Sequence, residues 1–455
     1  MTKKCVFLCV FNNHTYLQMC FLLLESIYIY GKIDEHIDIL IYTSTEFMNR
    51  ITQSHLYSEN IRFEINDTYT NIDASCKARL DLFQLQSVSN YSQVLYLDTD
   101  VIIKNDLNPI FQLAEKDVLY VLEEGSIDDP TDFWGKALFG DEIDNYSDKV
   151  AFTSGIILFN NCTAVHDLFS NIRADMAQRS HFFHDQPFIV YNAFKYGMYD
   201  NQVLKSYAVN NDSNVYSDKT IHHFPGGLHV FESKREKMTN YLVSLKDATI
   251  QQHIDSAKEY INLYLLPFIS NCGELLEGNI FMYHHTTTYT DLFLHKTKNI
   301  SNIVLPSHIR NVMEIGFNSG FSALLMLLSN PHITLTCFDL GEHRYTYPCF
   351  LQLKKTFGNR IRLILGDSTL TIPKHEGIYD VIHIDGGHST EVAQSDITHS
   401  LRLSRKGTVL IMDDYDFPNL HQLWDKSVDQ YKLFPLDTYL YPSPHHDVKY
   451  VFTKP

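Results

Sequence analysis

The chain has 455 residues, of which 44% are apolar, 20% charged and 13% aromatic, and its formal net charge at pH 7 is −17. This length predicts about two to four globular domains, and the composition excludes a largely disordered chain. The acidic balance argues against a nucleic-acid scaffold, which needs a basic face, and no run approaches the ~18–20 apolar residues of a membrane span. The first apolar run is also shorter than a signal-peptide core, so we expect a cytoplasmic protein.

The N-terminal part of the chain begins with alternating strand and helix patterns. Apolar runs at 5–10 and 37–42 flank a helical pattern at 16–27. Strand, helix and strand in this order indicate a parallel sheet that is buried on both faces. Further strands are predicted at 94–97, 101–103 and 152–159, and a helix is predicted at about 247–266.

Two aspartates follow the strand predicted at 94–97. Asp98 and Asp100 lie two positions apart, so an extended backbone points both carboxylates to one face. Two such charges are costly to desolvate together unless a cation joins them, and a divalent metal ion can also hold a diphosphate. A plain Asp-rich turn is the alternative for a D-x-D motif without context. The neighbouring motifs must therefore decide between a metal site and a plain Asp-rich turn.

The D-x-D pair belongs to an ordered series of motifs in residues 1 to about 240. The series consists of Ala78-Arg79-Leu80, residues 94–103, residues 154–160, Asp185-Gln186 and residues 223–226. In this order the motifs resemble the family-8 retaining glycosyltransferases, and the series is far more specific than any one member. The resemblance implies a GT-A fold, a nucleotide-sugar donor such as a UDP-sugar, and a manganese or magnesium ion.

The same resemblance implies roles for individual residues. It implies Asp98, Asp100 and His223 as metal ligands, Asn12, Tyr16, Arg79, Ser154, Gly155 and Gly226 as donor-binding residues, and Asp185 and Gln186 as the catalytic pair under the reacting face. The family usually has a lysine after its histidine-glycine segment, but here Gly226 is followed by Gly227, Leu228 and His229. Lys234 and Lys237 are the candidates to contact the diphosphate instead.

A second alternation of strands and helices begins at Asn311. It predicts a doubly wound, Rossmann-like sheet that binds ligands outside the carboxyl ends of its strands. Strands are predicted at 312–316, 334–339, 361–365, 379–385, 408–413 and 449–452, with helices at 322–329, 348–357 and 391–403.

A glycine motif stands between the first strand and the first helix of this block. Gly316 and Gly320 allow a tight turn and the close approach of a ligand, although a G-x-x-x-G pattern alone also serves plain strand-to-helix packing. Asp339 ends the second strand, where a carboxylate can accept hydrogen bonds from ribose. Asp367 and Ser368 follow the third strand, where an adenine could be held.

This set, together with Asp385-Gly386-Gly387-His388, resembles the class I S-adenosylmethionine-dependent methyltransferases over roughly residues 270–455. The resemblance implies Glu314, Gly316, Asn318, Gly320, Asp339, Asp367 and Ser368 as cofactor-binding residues. A dinucleotide oxidoreductase is less favoured, because the motif is not G-x-G-x-x-G. We expect a glycosyltransferase domain at 1–250 and a methyltransferase domain at 251–455 that begins with a helical lid at 251–305.

Three aspartates close the predicted fourth and fifth strands at one edge of the sheet. Asp385, Asp413 and Asp414 could converge on a divalent ion, as in metal-dependent O-methyltransferases, with His388 as the base. The alternative is that the segment Asp413 to Asp416 is a solvated turn and that His388 caps the next helix.

Together these patterns predict a bifunctional enzyme that transfers a sugar and methylates a hydroxyl, plausibly on a glycan. The expected partners are a nucleotide sugar and a glycan acceptor, without nucleic acid or a membrane span. Two alternatives stay open: a single active domain with the other as a glycan-binding or structural module, and methylation of a non-sugar small molecule.

Overall fold

The computed structural model describes residues 3–226 and 231–452. Contacts divide the chain into two units, one formed by residues 1–52 and 58–242 and the other by residues 53–57 and 243–455. The short segment 53–57 belongs to the second unit by its contacts, although the rest of that unit begins only at residue 243. The boundary expected at 250/251 falls inside a helix, Phe231–Tyr260.

The first unit is built on a mixed sheet, with parallel and antiparallel strand pairs and helices between the strands. Its strands are β1 (Lys3–Val10), β2 (Ile37–Thr43), β3 (Ile61–Ile65), β4 (Tyr91–Leu97), β5 (Val101–Ile103), β6 (Leu119–Ser126), β7 (Val150–Asn160), β8 (Tyr199–Asp200), β9 (Ala208–Asn210) and β10 (Ile221–His223). Its helices are α1 (His14–Tyr30), α2 (Thr45–Gln53), α3 (Ile72–Ser75), α4 (Asn108–Phe111), α5 (Lys136–Phe139), α6 (Thr163–Gln178), α7 (Gln186–Lys195) and the beginning of α8 (Phe231–Tyr260).

The main sheet of this unit, among the described residues, has the strand order β3-β2-β1-β4-β7-β6-β8. β1 pairs in parallel with β2 and β4, whereas β4 pairs antiparallel with β7. A small sheet of order β5-β10-β9 lies beyond the end of β4. The apolar runs that predicted β1, β2, β4 and β7 are buried in the sheet, whereas β3, β6 and β8 were not predicted.

The second unit is a doubly wound sheet. Its strands are β11 (Asn311–Ile315), β12 (Thr334–Asp339), β13 (Ile361–Leu365), β14 (Tyr379–Ile384), β15 (Ser404–Met412), β16 (Leu433–Pro435) and β17 (Asp447–Val451). Its helices are α9 (Leu266–Asn271), α10 (Leu294–Val304), α11 (Phe321–Ser329), α12 (Thr346–Phe357), α13 (Ser368–Thr371), α14 (Thr390–Arg402) and α15 (Pro418–Tyr431), with a π-helical turn at Ile261–Leu265 between α8 and α9.

The order of its strands is β13-β12-β11-β14-β15-β17-β16. The strands from β13 to β15 are parallel, and β17 is antiparallel to β15. The order reverses between β11 and β14, which is the switch point where doubly wound sheets bind ligands. The predicted α/β class with two sheet-containing domains is confirmed, and the second sheet has the expected Rossmann-like strand order. Within the described ranges, no helix has the length and apolar character of a membrane span.

Candidate functional sites

The predicted metal ligands of the first unit meet where β4 ends and β10 ends. β10 pairs antiparallel with β5 so that His223 lies opposite Val101, immediately after Asp100. As a result, His223 Nε2 lies 3.4 Å from Asp100 Oδ1. Asp98, Asp100 and His223 each offer a ligand atom, and these atoms lie within 4.8 Å of one another. Backbone pairing alone thus brings together residues that are distant in sequence.

Gly155 forms one wall of this cluster. Its carbonyl oxygen accepts a 2.8 Å hydrogen bond from the backbone N–H of Asp98. A Cβ at this position would lie 2.7 Å from His223 Nε2 and 2.9 Å from Asp98 Oδ2, closer than real Cβ contacts. The absence of a side chain at Gly155 therefore keeps the space between these ligand atoms open.

Arg79 connects the metal cluster with the predicted catalytic pair. Its Nε lies 2.8 Å from Asp185 Oδ2, and its Nη1 lies 3.4 Å from Asp98 Oδ1. Gln186 Oε1 accepts hydrogen bonds from the backbone N–H of Ser154, at 3.0 Å, and from its Oγ, at 2.5 Å. Burial raises the pKa of the Asp185 carboxyl, although the charge of Arg79 opposes the rise.

Lys234 reaches the cluster from the beginning of α8. Its Nζ donates to Asp100 Oδ2 at 2.6 Å and to the carbonyl oxygen of Gly226 at 3.0 Å, whereas Lys237 is exposed. Burial acts to raise the pKa of the Asp100 carboxyl, but the charges of Lys234 and His223 outweigh it and lower that pKa. The residues that stand in place of the family's lysine, Gly227, Leu228 and His229, lie outside the described residues.

A cavity of about 200 Å³ opens onto this cluster. Tyr16, Arg79, Asp98, Asp100, Thr99, Gly226 and Lys234 line it, together with Cys9, Phe11, Ile72, Ser75, Cys76 and Tyr96. Asn12 lines a neighbouring open depression, and its side-chain amide donates to the carbonyl oxygen of Asn71 and to Ser75 Oγ. The structure therefore places Tyr16 and Arg79 in the cavity and Asn12 beside it.

The second unit contains a larger cavity, of about 890 Å³, at the carboxyl ends of its parallel strands. The predicted residues Gly316, Asn318, Asp339, Asp367, Ser368, Asp385, His388 and Asp414 line it. Gly316 has φ +94°, and a Cβ there would lie 1.9 Å from the carbonyl oxygen of Asp385, so only glycine fits. Gly320 also has a positive φ and packs against the ring of Phe317.

Two carboxylates near this cavity have different surroundings. Asp339 faces the cavity, where its Oδ2 accepts a hydrogen bond from the backbone N–H of Asn318 and its Oδ1 one from that of Gly341, each at 2.7 Å. Glu314 is fully buried, and its carboxylate accepts hydrogen bonds from Ser322 Oγ at 2.5 Å and from Cys337 Sγ at 3.4 Å. Glu314 therefore links β11 to α11 and β12 behind the loop at 316–320.

Asp385, Asp413 and Asp414 also come together, with ligand atoms within 4.8 Å of one another. Asp385 and Asp414 line the cavity, but the side chain of Asp413 turns inward and is fully buried. Asp414 Oδ2 lies 2.8 Å from His388 Nε2, and this hydrogen bond raises the pKa of the imidazole. Burial and the neighbouring charge of Asp413 raise the pKa of the Asp385 carboxyl.

Sequence reasoning missed Lys296, which lies on α10. Its Nζ lies 2.5 Å from Asp413 Oδ2, and its side chain is almost fully buried. Burial would lower the pKa of this ammonium, but the charges of Asp413 and Asp385 raise it, so Lys296 stays charged. No motif indicates a single lysine in a helix that precedes the Rossmann sheet, and only the packing of α10 reveals it.

A part of each unit matches a known family model. Residues 13–198 match the family model described as glycosyl transferase family 8, and residues 313–415 match the one described as a methyltransferase domain. No curated protein matches the chain.

Several solved structures are similar to the chain. The bifunctional glycosyltransferase WbbM, in its apo form, is 16% identical with a TM-score of 0.40, and the match covers 54% of this chain and 51%, about half, of that one. The galactosyltransferase LgtC, in complex with donor and acceptor sugar analogues, is 17% identical with a TM-score of 0.39, covering 53% and 96%. Mouse xyloside xylosyltransferase 1 is 12% identical with a TM-score of 0.38, covering 50% and 98%. The family matches confirm that the chain joins a glycosyl transferase family 8 domain to a methyltransferase domain.

Proposed function

We propose that this chain transfers a sugar from a nucleotide-sugar donor to a glycan and methylates a hydroxyl group with S-adenosylmethionine. The observation that carries this proposal is that each unit has its own cavity, and that several of the polar residues that the motifs predicted line it, among them Asp98, Asp100 and Arg79 in the first unit and Asp339, Asp385 and His388 in the second. The two reactions would then share a chain, which raises the effective concentration of one product at the next site.

In the first unit, Asp98, Asp100 and His223 would hold a manganese or magnesium ion. Two observations support the fit: Gly155 keeps the space between the ligand atoms open, and Asp100 Oδ1 is buried without a hydrogen bond among the described residues. When bound, the ion would neutralise charge that builds on the diphosphate leaving group.

The chain's own cations would complete the donor site. Arg79 and Lys234 both line the cavity, so their charges would hold the diphosphate. Tyr16 would contact the nucleotide base. Asp185 and Gln186, which are tied to Arg79 and Ser154, would position the reacting face of the sugar.

In the second unit, the cofactor would bind across the switch point. Gly316 and Asn318 would bring the backbone close to the methionine end, Asp339 would accept hydrogen bonds from the ribose, and Asp367 with Ser368 would flank the adenine. Glu314 would act indirectly, by ordering the strand that carries the loop.

The acceptor would bind at the end of the cavity that contains Asp385, His388 and Asp414. His388 would take the proton of the hydroxyl that is methylated. Asp385 and Asp414 would hold a divalent ion against the acceptor oxygens, while Asp413, which is turned inward, would fix the ammonium of Lys296 nearby. This differs from the expectation that all three aspartates act as equivalent ligands.

A variant of the first site, measured for the functions of both sites, tests the two-site proposal. In Asp100→Asn, we expect hydrolysis of UDP-sugars by the intact protein to be lost, while S-adenosylhomocysteine binds with unchanged affinity in calorimetry. Loss of S-adenosylhomocysteine binding together with UDP-sugar hydrolysis would contradict the proposal of two independent sites. We propose further that glycosyl transfer comes first. Methylation of the glycosylated acceptor should then exceed that of the bare acceptor, and equal rates would contradict this order.

A further inference from the structure

A second cluster of ligand-type side chains lies behind the methyltransferase cavity. His383 is on β14, Asp413 directly follows β15, and His446 directly precedes β17. β14 is parallel to β15, and the antiparallel register of β15 and β17 pairs Met412 with Asp447, which brings Asp413 beside His446. The side chains of His383, Asp413 and His446 are 0% exposed.

The contacts within this cluster are close, but they are not hydrogen bonds. His383 Nε2 lies 3.4 Å from Asp413 Oδ2, and His446 Nε2 lies 3.3 Å from Asp413 Oδ1, yet neither nitrogen has a hydrogen-bond partner among the described residues. Two ligand atoms at about 2.0–2.1 Å from a tetrahedral zinc ion are separated by about 3.3 Å. The spacing therefore suits a shared metal ion.

The ring nitrogens of the two histidines point to the same conclusion. Neither ring nitrogen of His446, nor Nε2 of His383, has a hydrogen-bond partner among the described residues, although all are buried. Glu314 Oε1 lies 3.3 Å from His383 Nδ1, and accepting that N–H would turn the lone pair of Nε2 toward Asp413. Metal-binding histidines commonly donate their second nitrogen to a carboxylate in this way.

We propose that His383, Asp413 and His446 bind a buried metal ion of the zinc class. Two imidazoles and one carboxylate are ligands that this class of ion accepts, whereas magnesium prefers oxygen alone. The site joins β14, β15 and the segment before β17, so metal binding adds directly to the stability of the second unit. It goes beyond the two proposed activities and does not depend on either.

Lys296 is compatible with this site because it approaches Asp413 from the cavity. Its Nζ pairs with Oδ2, which is also the oxygen nearer to His383, and the backbone N–H of Asp414 donates to Oδ1 at 2.7 Å. Each carboxylate oxygen has two lone pairs, so each keeps one for a metal ion. The competing occupant is a proton on His383: burial lowers the pKa of that imidazole, but Asp413 and Glu314 raise it to about 10. The experiment must therefore distinguish a metal ion from a buried imidazolium.

The test measures zinc in the intact chain carrying both Asp100→Asn and Asp414→Asn, which removes a ligand from each of the other two proposed metal sites. After treatment with chelator and titration with ZnCl₂, we expect one tightly held zinc ion per chain by elemental analysis. Adding His446→Asn should reduce this to none, whereas adding His421→Asn, at an exposed histidine outside the cluster, should leave one. Absence of zinc from the double variant, or retention of zinc after His446→Asn is added, would overturn the proposal.

A second variant covers the case in which His446→Asn does not fold. His446→Cys supplies a thiolate ligand at the same position, so titration with CoCl₂ should give a thiolate-to-cobalt charge-transfer band that the parent chain lacks. The parent chain, which keeps His446, is the control and should show only weak visible cobalt bands. A folded His446→Cys chain without the charge-transfer band would overturn the proposal.

Discussion

Lys234 Nζ lies 2.6 Å from Asp100 Oδ2, and both side chains are buried although 134 positions separate the two residues. The pair places a fixed positive charge beside the carboxylate that we propose as a metal ligand. Lys234 thus lines the cavity that we propose for the donor, although it comes later in the chain than the family's motif predicts.

Replacing this lysine should weaken donor binding. In Lys234→Met, we expect the Kd for UDP with MnCl₂ to rise about 10- to 100-fold, because a charge-assisted contact of ~1.5–3 kcal/mol is lost. Calorimetry on the intact protein measures this Kd. Lys237→Met is the matched control, since Lys237 is exposed, and its Kd should equal that of the wild type. A Lys234→Met chain with wild-type affinity would show that the lysine does not contact the donor.

A methyl group at Gly155 should displace the ligand cluster. In Gly155→Ala, the new Cβ would push against His223 and Asp98, whose side chains can move without unfolding the sheet. We expect a normal circular dichroism spectrum with a loss of manganese-dependent UDP-sugar hydrolysis. Gly278→Ala is the control, because a Cβ there meets nothing within 4 Å. Full hydrolysis by Gly155→Ala would contradict the proposed ligand geometry.

The cofactor site should depend on Asp339. Asp339→Ala removes the proposed ribose acceptor and also the hydrogen bonds that hold the backbone at Asn318 and Gly341. We expect the Kd for S-adenosylhomocysteine to rise at least about tenfold. The Kd of the same variant for UDP should not change, which serves as its internal control. A change in both affinities would indicate general unfolding.

His388 should matter for the rate of methyl transfer and not for cofactor binding. In His388→Gln, we expect kcat to fall about 10²- to 10⁴-fold, the usual contribution of a general base. The Kd for S-adenosylhomocysteine should stay the same. If kcat is retained, His388 is not the base, and its contact with Asp414 serves structure alone.

Stability of the second unit should fall in mild acid because of His308. Its Nε2 donates to the carbonyl oxygen of His55, at 3.0 Å, and burial lowers the pKa of His308 from 6.5 to about 4. Below pH 6.5 the unfolded chain binds a proton here that the folded chain does not bind until about pH 4. Stability is therefore lost as the pH falls through this window, by about 2 kcal/mol at pH 5.

Urea unfolding at pH 7 and pH 5 measures this loss. His308→Gln keeps a side-chain donor without a titrating group, so it should reduce the difference in unfolding free energy between the two pH values by about that amount. An unchanged difference in the variant would assign the acid sensitivity to other residues.

Local sequence patterns determined the strands and helices on which both sites are built. The buried run that ends at Leu97 predicted β4 and placed Asp98 and Asp100 at its end, and the alternation after Asn311 predicted the second sheet. These predictions succeed because burial on both faces of a parallel strand leaves a continuous apolar run. β3, whose side chains are mostly exposed or half-buried, shows no such run and was missed.

Only the tertiary structure decided which distant side chains meet. Lys234, and not Lys237, contacts Asp100. Asp413 points away from the cavity and contacts Lys296. His383 and His446 contact the same Asp413 carboxylate. The physical reason is that a buried charge must find its partner wherever the chain packs, and strand pairing and helix packing set that position independently of sequence distance.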